Sequence, residues 1–434
     1  MSTGTTQPRA NPSTKGARAD QGPRVSQAGE RRELRWESLR AIAALGVLVA
    51  HTYGQAGGNF YGDYSERLVA GVGFGALFFF TLSGCLLYIP FARRDFGGGR
   101  EIKLSQYATN RALRIFPLYY VALVFVLVFQ EGGGNLEQWV RFGLLLENFS
   151  VETLNTVNGS LWTIVVELHF YLLLPPLAWA IARIAKRSTA RALVVLAVLA
   201  TISILIRSYS LANPQEEVLL RYSLPATFYF VCAGMALALL RTRWNGGRPS
   251  WLRGPLARAE LWMLAAIPFW LLFVWDYRLE PLFGISCFLA LGACVLPLES
   301  GRLLRVLDWK LLGVIGLASY SLYIWHVPAL RVLTDEGTNA LADHFLVLLA
   351  VGIPVCCLVA LLSYRVIEEP ALRLRKRWGG TAWGGETGAK PEAPGEEPGG
   401  AAQPPATAGR IVTSSPSSTG VSSPSRKRMS SPPT

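Results

Sequence analysis

The chain has 434 residues, of which 51% are hydrophobic and only 16% charged, with a mean hydropathy of +0.31 and a formal net charge of +13. That composition is too apolar for one soluble globular domain of this length, so the surplus apolar residues are expected to face lipid. Membrane topology accounts for the excess of Lys and Arg, and no nucleic-acid partner is implied.

Residues 1–33 are rich in charge, Pro, Ser and Gly and lack the apolar core of a secretory signal. They are expected to form a disordered cytoplasmic tail, and the first apolar run is expected to remain as an anchor. Apolar runs then predict ten membrane helices, over about 38–55, 68–91, 113–130, 160–182, 192–206, 222–240, 260–275, 282–298, 311–330 and 344–364. They make up a membrane domain of residues 34–377, followed by a second Pro/Gly/Ser-rich tail, 378–434. Neither tail holds enough apolar surface to offset the entropy of ordering. The expected fold class is all-α and polytopic, with about ten transmembrane helices.

The connections after the second, fourth, sixth and eighth runs, with the end of the tenth, carry 23 Lys and Arg residues. The opposite set carries six: Arg67, Arg141, Arg207, Arg221, Arg278 and Arg331. The positive-inside rule then places both termini in the cytoplasm, consistent with an even number of crossings. Six cysteines, Cys85, Cys232, Cys287, Cys294, Cys356 and Cys357, lie in or beside apolar runs without CxxC spacing or a His-rich partner, and read as small apolar residues with no metal site. Asn148 and Asn158 match Asn-x-Ser in an outer connection.

Ionisable residues within apolar runs cost about 2.5–3.5 kcal/mol each even on the gentler insertion scales, so they are functional candidates. In the first run, Arg40 and His51 are eleven residues apart, which puts them on one helix face about 16.5 Å apart, with Arg40 at the inner end. A snorkelling Arg and an interfacial His would also fit that spacing. Glu167, about 10 Å deep in the fourth run, falls near the level of His51. In the ninth run, SYSLYIWH brings Tyr320, Tyr323 and His326 toward the outer side, where aromatic anchoring is the alternative use. Arg111 and Arg114 at the inner mouth are placed to grip a phosphate, although such pairs also serve as topology signals. Ser83-Gly84 is a small-residue patch that admits a neighbouring helix or a ligand.

Taken together, the Arg40–His51 spacing, the Arg111-x-x-Arg114 pair and the runs FFFTLSG, LWTIVVELHFYLLLP, SYSLYIWHVP and YRVIEEP resemble the acyltransferase-3 family of integral membrane acyltransferases. The resemblance covers about residues 33–377. Cys85, Thr163 and His169 depart from the residues usual in that family, which bears on the acceptor. The resemblance implies transfer of an acyl group, often acetyl, from acyl-coenzyme A as donor substrate to a hydroxyl of a cell-surface glycan, lipid-linked sugar or glycosylated metabolite, with no permanently bound cofactor.

On this reading Arg40, Arg111 and Arg114 bind the donor phosphates, and its pantetheine arm follows one continuous passage along the Arg40–His51 face. His51 acts as general base, because an imidazole suits that proton near neutral pH. Glu167 orients His51, and Ser83, Tyr323 and His326 contact substrate. An acyl-His51 intermediate is an alternative to direct transfer. A transporter or flippase for a hydrophilic or lipid-linked solute is the rival function, since those also use buried His and Glu.

Overall fold

The computed structural model describes Met1 and residues 22–245, 247–334 and 344–378, the side chains of 22–32 and 375–378 excepted. The helices belong to one compact unit, Met1–Thr387. Most of the 1–33 tail and nearly all of the 378–434 tail lie outside the described residues. Helix α1 nevertheless begins at Gly22, inside the segment expected to be tail, and runs to Gln55.

The chain continues through α2 (Tyr64–Gly71), α3 (Gly75–Phe96), α4 (Leu104–Phe125), α5 (Leu136–Gly143), α6 (Trp162–Ile184), α7 (Thr189–Ala212) and α8 (Val218–Arg221). It then forms α9 (Leu224–Arg243), α10 (Ala259–Trp275), α11 (Glu280–Val295), α12 (Lys310–Leu317), α13 (Ser319–Thr334), α14 (Phe345–Ser363) and α15 (Glu369–Trp378). Among the described residues the only strand-like pairing is an isolated bridge between Arg258 and Glu299. Local chemistry marks the surface helices: Asp63 with Glu66, and Asn135 with Gln138, form capping boxes at α2 and α5.

Every predicted apolar run is helical, but the runs are unequal. Among the described residues seven helical segments are long and apolar enough to cross a membrane, or eight if the pair α12 and α13, bent by 72° at Ala318, is one span. Two of the ten predicted runs fall short of that length and apolarity. Helix α10 has only 17 residues, and α1 gives up apolar positions to Arg40, His51 and Thr52. Outward-facing Leu172, Trp179, Val198, Leu205, Leu271, Leu358 and Leu362 present the apolar surface that lipid would cover.

Close backbone approach fixes how the inner helices meet. A Cβ on Gly84 would lie 2.4 Å from the Val231 carbonyl oxygen, and one on Gly234 only 1.9 Å from that of Thr81, so α3 and α9 pack backbone to backbone. Gly316 meets α1 in the same way, at the Glu37 carbonyl, just before the bend.

Prolines inside helices free carbonyls that apolar surroundings would leave costly, and specific side chains take them up. Pro175 frees the Tyr171 carbonyl, which accepts from Tyr107 Oη at 2.8 Å. Pro328 frees that of Ile324, which accepts from Asn158 Nδ2 at 3.0 Å. A π turn at Tyr364–Glu368 links α14 to α15 and brings Glu368 into the protein interior.

Candidate active site

Two polar cavities lie within the bundle. The first, of about 280 Å³, is lined by Arg40 of α1, Ser83 of α3, Arg111 and Arg114 of α4, Glu167 of α6 and Tyr323 of α13, among others. The second, of about 810 Å³, is lined by His51 of α1 together with Trp162, Tyr222, Tyr277 and four arginines. Ala76 and Tyr323 line both, so they form a common wall. The passage expected from the sequence thus takes the form of two cavities that meet at Tyr323. Arg40 and His51 do share the inward face of α1, but each opens on a different side of Tyr323.

In the first cavity one Glu167 oxygen accepts from Ser83 Oγ and from Tyr171 Oη, both at 2.5 Å. Those two hydroxyls fix the carboxylate in the cavity that Arg40, Arg111 and Arg114 line. The ring against His51 is instead that of His326, with centroids 4.8 Å apart and planes at 68°. The expected Glu167–His51 partnership is thus replaced by a histidine pair.

The arginines also differ from one another. Arg114 is ion-paired with Glu368 and lies 5.5 Å over the Tyr320 ring. The other Glu368 oxygen accepts from Ser321 at 2.8 Å. Arg40 pairs with Glu37 at 2.9 Å, one helical turn away. Arg111 lies 5.6 Å over the Tyr171 ring, and among the described residues it has no carboxylate partner. Its buried Nε also lacks an acceptor. Of the two arginines expected to grip a phosphate, both line this cavity, but Arg114 already has Glu368 as counter-ion whereas Arg111 has none among the described residues.

His326 lines neither cavity, contrary to the expected substrate contact, and is 1% exposed. Its Nδ1 lies 2.7 Å from the Tyr323 carbonyl oxygen. A carbonyl only accepts, so Nδ1 carries the hydrogen and the neutral ring presents a bare Nε2. That Nε2 is buried and otherwise unpartnered. His326 thus keeps one unused acceptor while its ring packs edge-on against that of His51.

Tyr323 is held upright by Thr163 Oγ1, which donates to its hydroxyl at 2.8 Å, and by its own donation to the Ser160 carbonyl at 3.1 Å. Of the three departures from the family pattern, only Thr163 lines a cavity. Cys85 is wholly buried, and His169 packs edge-on against Phe149. The two Asn-x-Ser asparagines are structural: Asn148 donates to the Trp162 and Tyr222 carbonyls at 2.9 and 3.0 Å, and Asn158 supports α13.

Apolar helices enclosing one cavity lined by Arg40, Arg111 and Arg114 and another lined by His51 define a multi-pass membrane protein built around internal polar chemistry. Residues 34–361 match the family model described as an acyltransferase domain, and the chain belongs to that family.

The chain is 24% identical over 360 residues to a putative peptidoglycan O-acetyltransferase, YrhL, of Bacillus subtilis (strain 168), covering 77% of this chain and 54% of that protein. It is 26% identical over 317 residues to the exopolysaccharide production protein ExoZ of Rhizobium meliloti (strain 1021), covering 68% of this chain and 88% of the relative. It is 23% identical over 362 residues to the peptidoglycan O-acetyltransferase OatA of Listeria monocytogenes serovar 1/2a (strain ATCC BAA-679 / EGD-e), covering 77% and 55%. The chain thus spans about half the length of two of these relatives. No solved structure matches it significantly.

Proposed function

We propose that this protein transfers an acyl group, acetyl in the first place, from coenzyme A to a hydroxyl of a glycan or glycosylated acceptor at the cell membrane, with both termini cytoplasmic. The observation that carries this reading is the pair of cavities meeting at Tyr323, with guanidinium groups on one side and His51 on the other. The names of the relatives support a glycan acceptor. So do the aromatic walls of the His51 cavity, where Trp162 meets Tyr222 edge-on at 4.8 Å and Tyr61 meets Tyr277 at 5.9 Å. Such rings offer an apolar face and a polar edge to a sugar.

On this reading the donor phosphates meet Arg111, with Arg40 lining the same cavity beside its partner Glu37, while Arg114 braces the cavity through Glu368. The pantetheine arm passes Tyr323 to bring the thioester carbonyl beside His51. The acceptor hydroxyl oxygen attacks that carbonyl carbon as His51 removes its proton. The carbon–sulfur bond breaks, and the departing thiolate takes the proton from the imidazolium. The His326 ring packs against His51 with its Nε2 left unpartnered, and on this reading it orients the imidazole during the reaction, the role that a carboxylate fills in hydrolytic triads. Glu167, with Ser83 and Tyr171, shapes the donor side.

The test is purified protein supplied with labelled acetyl-coenzyme A and peptidoglycan or exopolysaccharide fragments. Label in an ester on the glycan is the expected result. Movement of solute across proteoliposomes with no ester formed would favour transport and overturn the assignment.

A further inference from the structure

The His51 cavity holds more positive charge than acyl transfer requires. Among the six basic residues on the side expected to face outward, three end in carboxylate pairs: Arg141 with Glu137 at 2.7 Å, Arg331 with Glu131 at 3.0 Å, and Arg207 with Glu280 at 2.6 Å. Arg207 and the remaining three, Arg67, Arg221 and Arg278, line a single cavity, the one that contains His51. They come from α2, α7, α8 and the turn before α11, so their convergence is tertiary.

Two carboxylates share the lining, and both are engaged. Glu280 accepts from Arg207 at 2.6 Å and from Tyr229 at 2.8 Å. Asp276 accepts from the backbone N–H of Arg278 at 2.9 Å. Arg67 and Arg221 donate only to the carbonyls of Trp275 and Pro214, and the Nε groups of Arg67, Arg207 and Arg221 are buried without an acceptor. Gathering like charges and unused donors in a partly desolvated space is unfavourable unless an anion completes it. Positive-inside sorting does not produce it, since that rule depletes outer connections of Lys and Arg. The donor's phosphates belong to the other cavity, beside Arg40 and Arg111.

We propose that the acceptor carries an oxyanion, a carboxylate or a phosphate ester, near the hydroxyl that is acylated, and that Arg67, Arg221 and Arg278 receive it. This rests on the acyltransferase reading, with the acceptor in the His51 cavity. Guanidinium forks match the paired oxygens of either group, and the aromatic walls leave room for the sugar beside it.

Equilibrium binding to the detergent-purified full chain tests this with two matched probe pairs: methyl glucoside against methyl glucuronide, and galactose against galactose 1-phosphate. At least one acidic probe is expected to bind about tenfold tighter than its neutral partner, the advantage falling below about threefold in Arg221→Gln and Arg278→Gln. Arg278 is exposed and its side chain has no hydrogen-bond or ion-pair partner among the described residues, so its replacement is expected to leave the fold intact. Coenzyme A affinity is expected to stay unchanged in both variants. The pair showing the advantage identifies the anion as carboxylate or phosphate. Equal affinities within both pairs would overturn the proposal, as would variants that weaken neutral probes or coenzyme A by the same factor. Labelled acetyl transfer, measured separately, reports on the acyltransferase reading: an anion preference without transfer would sink that reading and leave the anion site standing.

Discussion

Replacing Glu368 with Gln removes a buried charge and leaves the Arg114 guanidinium without its counter-ion. The Glu368 side chain is 1% exposed and that of Arg114 19%. Removing one member of a buried ion pair costs about 3–5 kcal/mol, and the partial exposure of Arg114 favours the lower figure, about 3 kcal/mol. The Ser321 hydrogen bond adds little, because Gln retains an acceptor there. Removing both charges in Arg114→Leu/Glu368→Leu is expected to recover most of the loss, leaving about 1 kcal/mol. The assay is thermal unfolding of the single and double variants in one detergent, analysed as a double-mutant cycle. A coupling below about 0.5 kcal/mol would refute the claim that this pair holds α4 to the end of α14.

Arg111→Ala is expected to raise the donor KM about tenfold or more with the acceptor KM unchanged, as loss of a charge-assisted hydrogen bond predicts; steady-state kinetics in both substrates checks it. His326→Ala is expected to lower kcat by about 10- to 100-fold with both KM values nearly constant, because it acts through His51, and a change confined to KM would contradict that role. Tyr323→Ala opens the common wall, so hydrolysis of acyl-coenzyme A without acceptor is expected to rise, measured as thiol release. Glu147, in the connection before α6, is 1% exposed, and burial pushes its carboxyl up to about 8. A raised folded-state value means that stability falls as pH rises from the unfolded-state range near 4.5 toward 8. Glu147→Gln is expected to flatten that slope in thermal unfolding between pH 5 and pH 8.

Apolar run length revealed the helices well, because bilayer thickness and the need to satisfy backbone groups constrain every crossing. It missed the 72° break at Ala318, which follows the close contact of Gly316 with the Glu37 backbone on a distant helix. Helical phase correctly set Arg40 and His51 on one inward face. Depth along a span misled for Glu167, since depth gives a level in the membrane and not a direction. Glu167 turns to Ser83 and Tyr171 on one side of Tyr323, whereas His51 opens on the other. Partners across helices were equally illegible: Glu368 lay in a quoted run, but nothing in its spacing announces Arg114, and the four cavity arginines lie in separate connections. His326 stood out as an ionisable residue in an apolar run, though its contact with His51 required the fold.

The central claim, that His51 takes the acceptor proton, is tested most directly by His51→Ala in the labelled acetyl-transfer assay, with protein level and membrane insertion verified. Ester formation is expected to disappear while coenzyme A still binds. Full transfer by that variant would contradict the account.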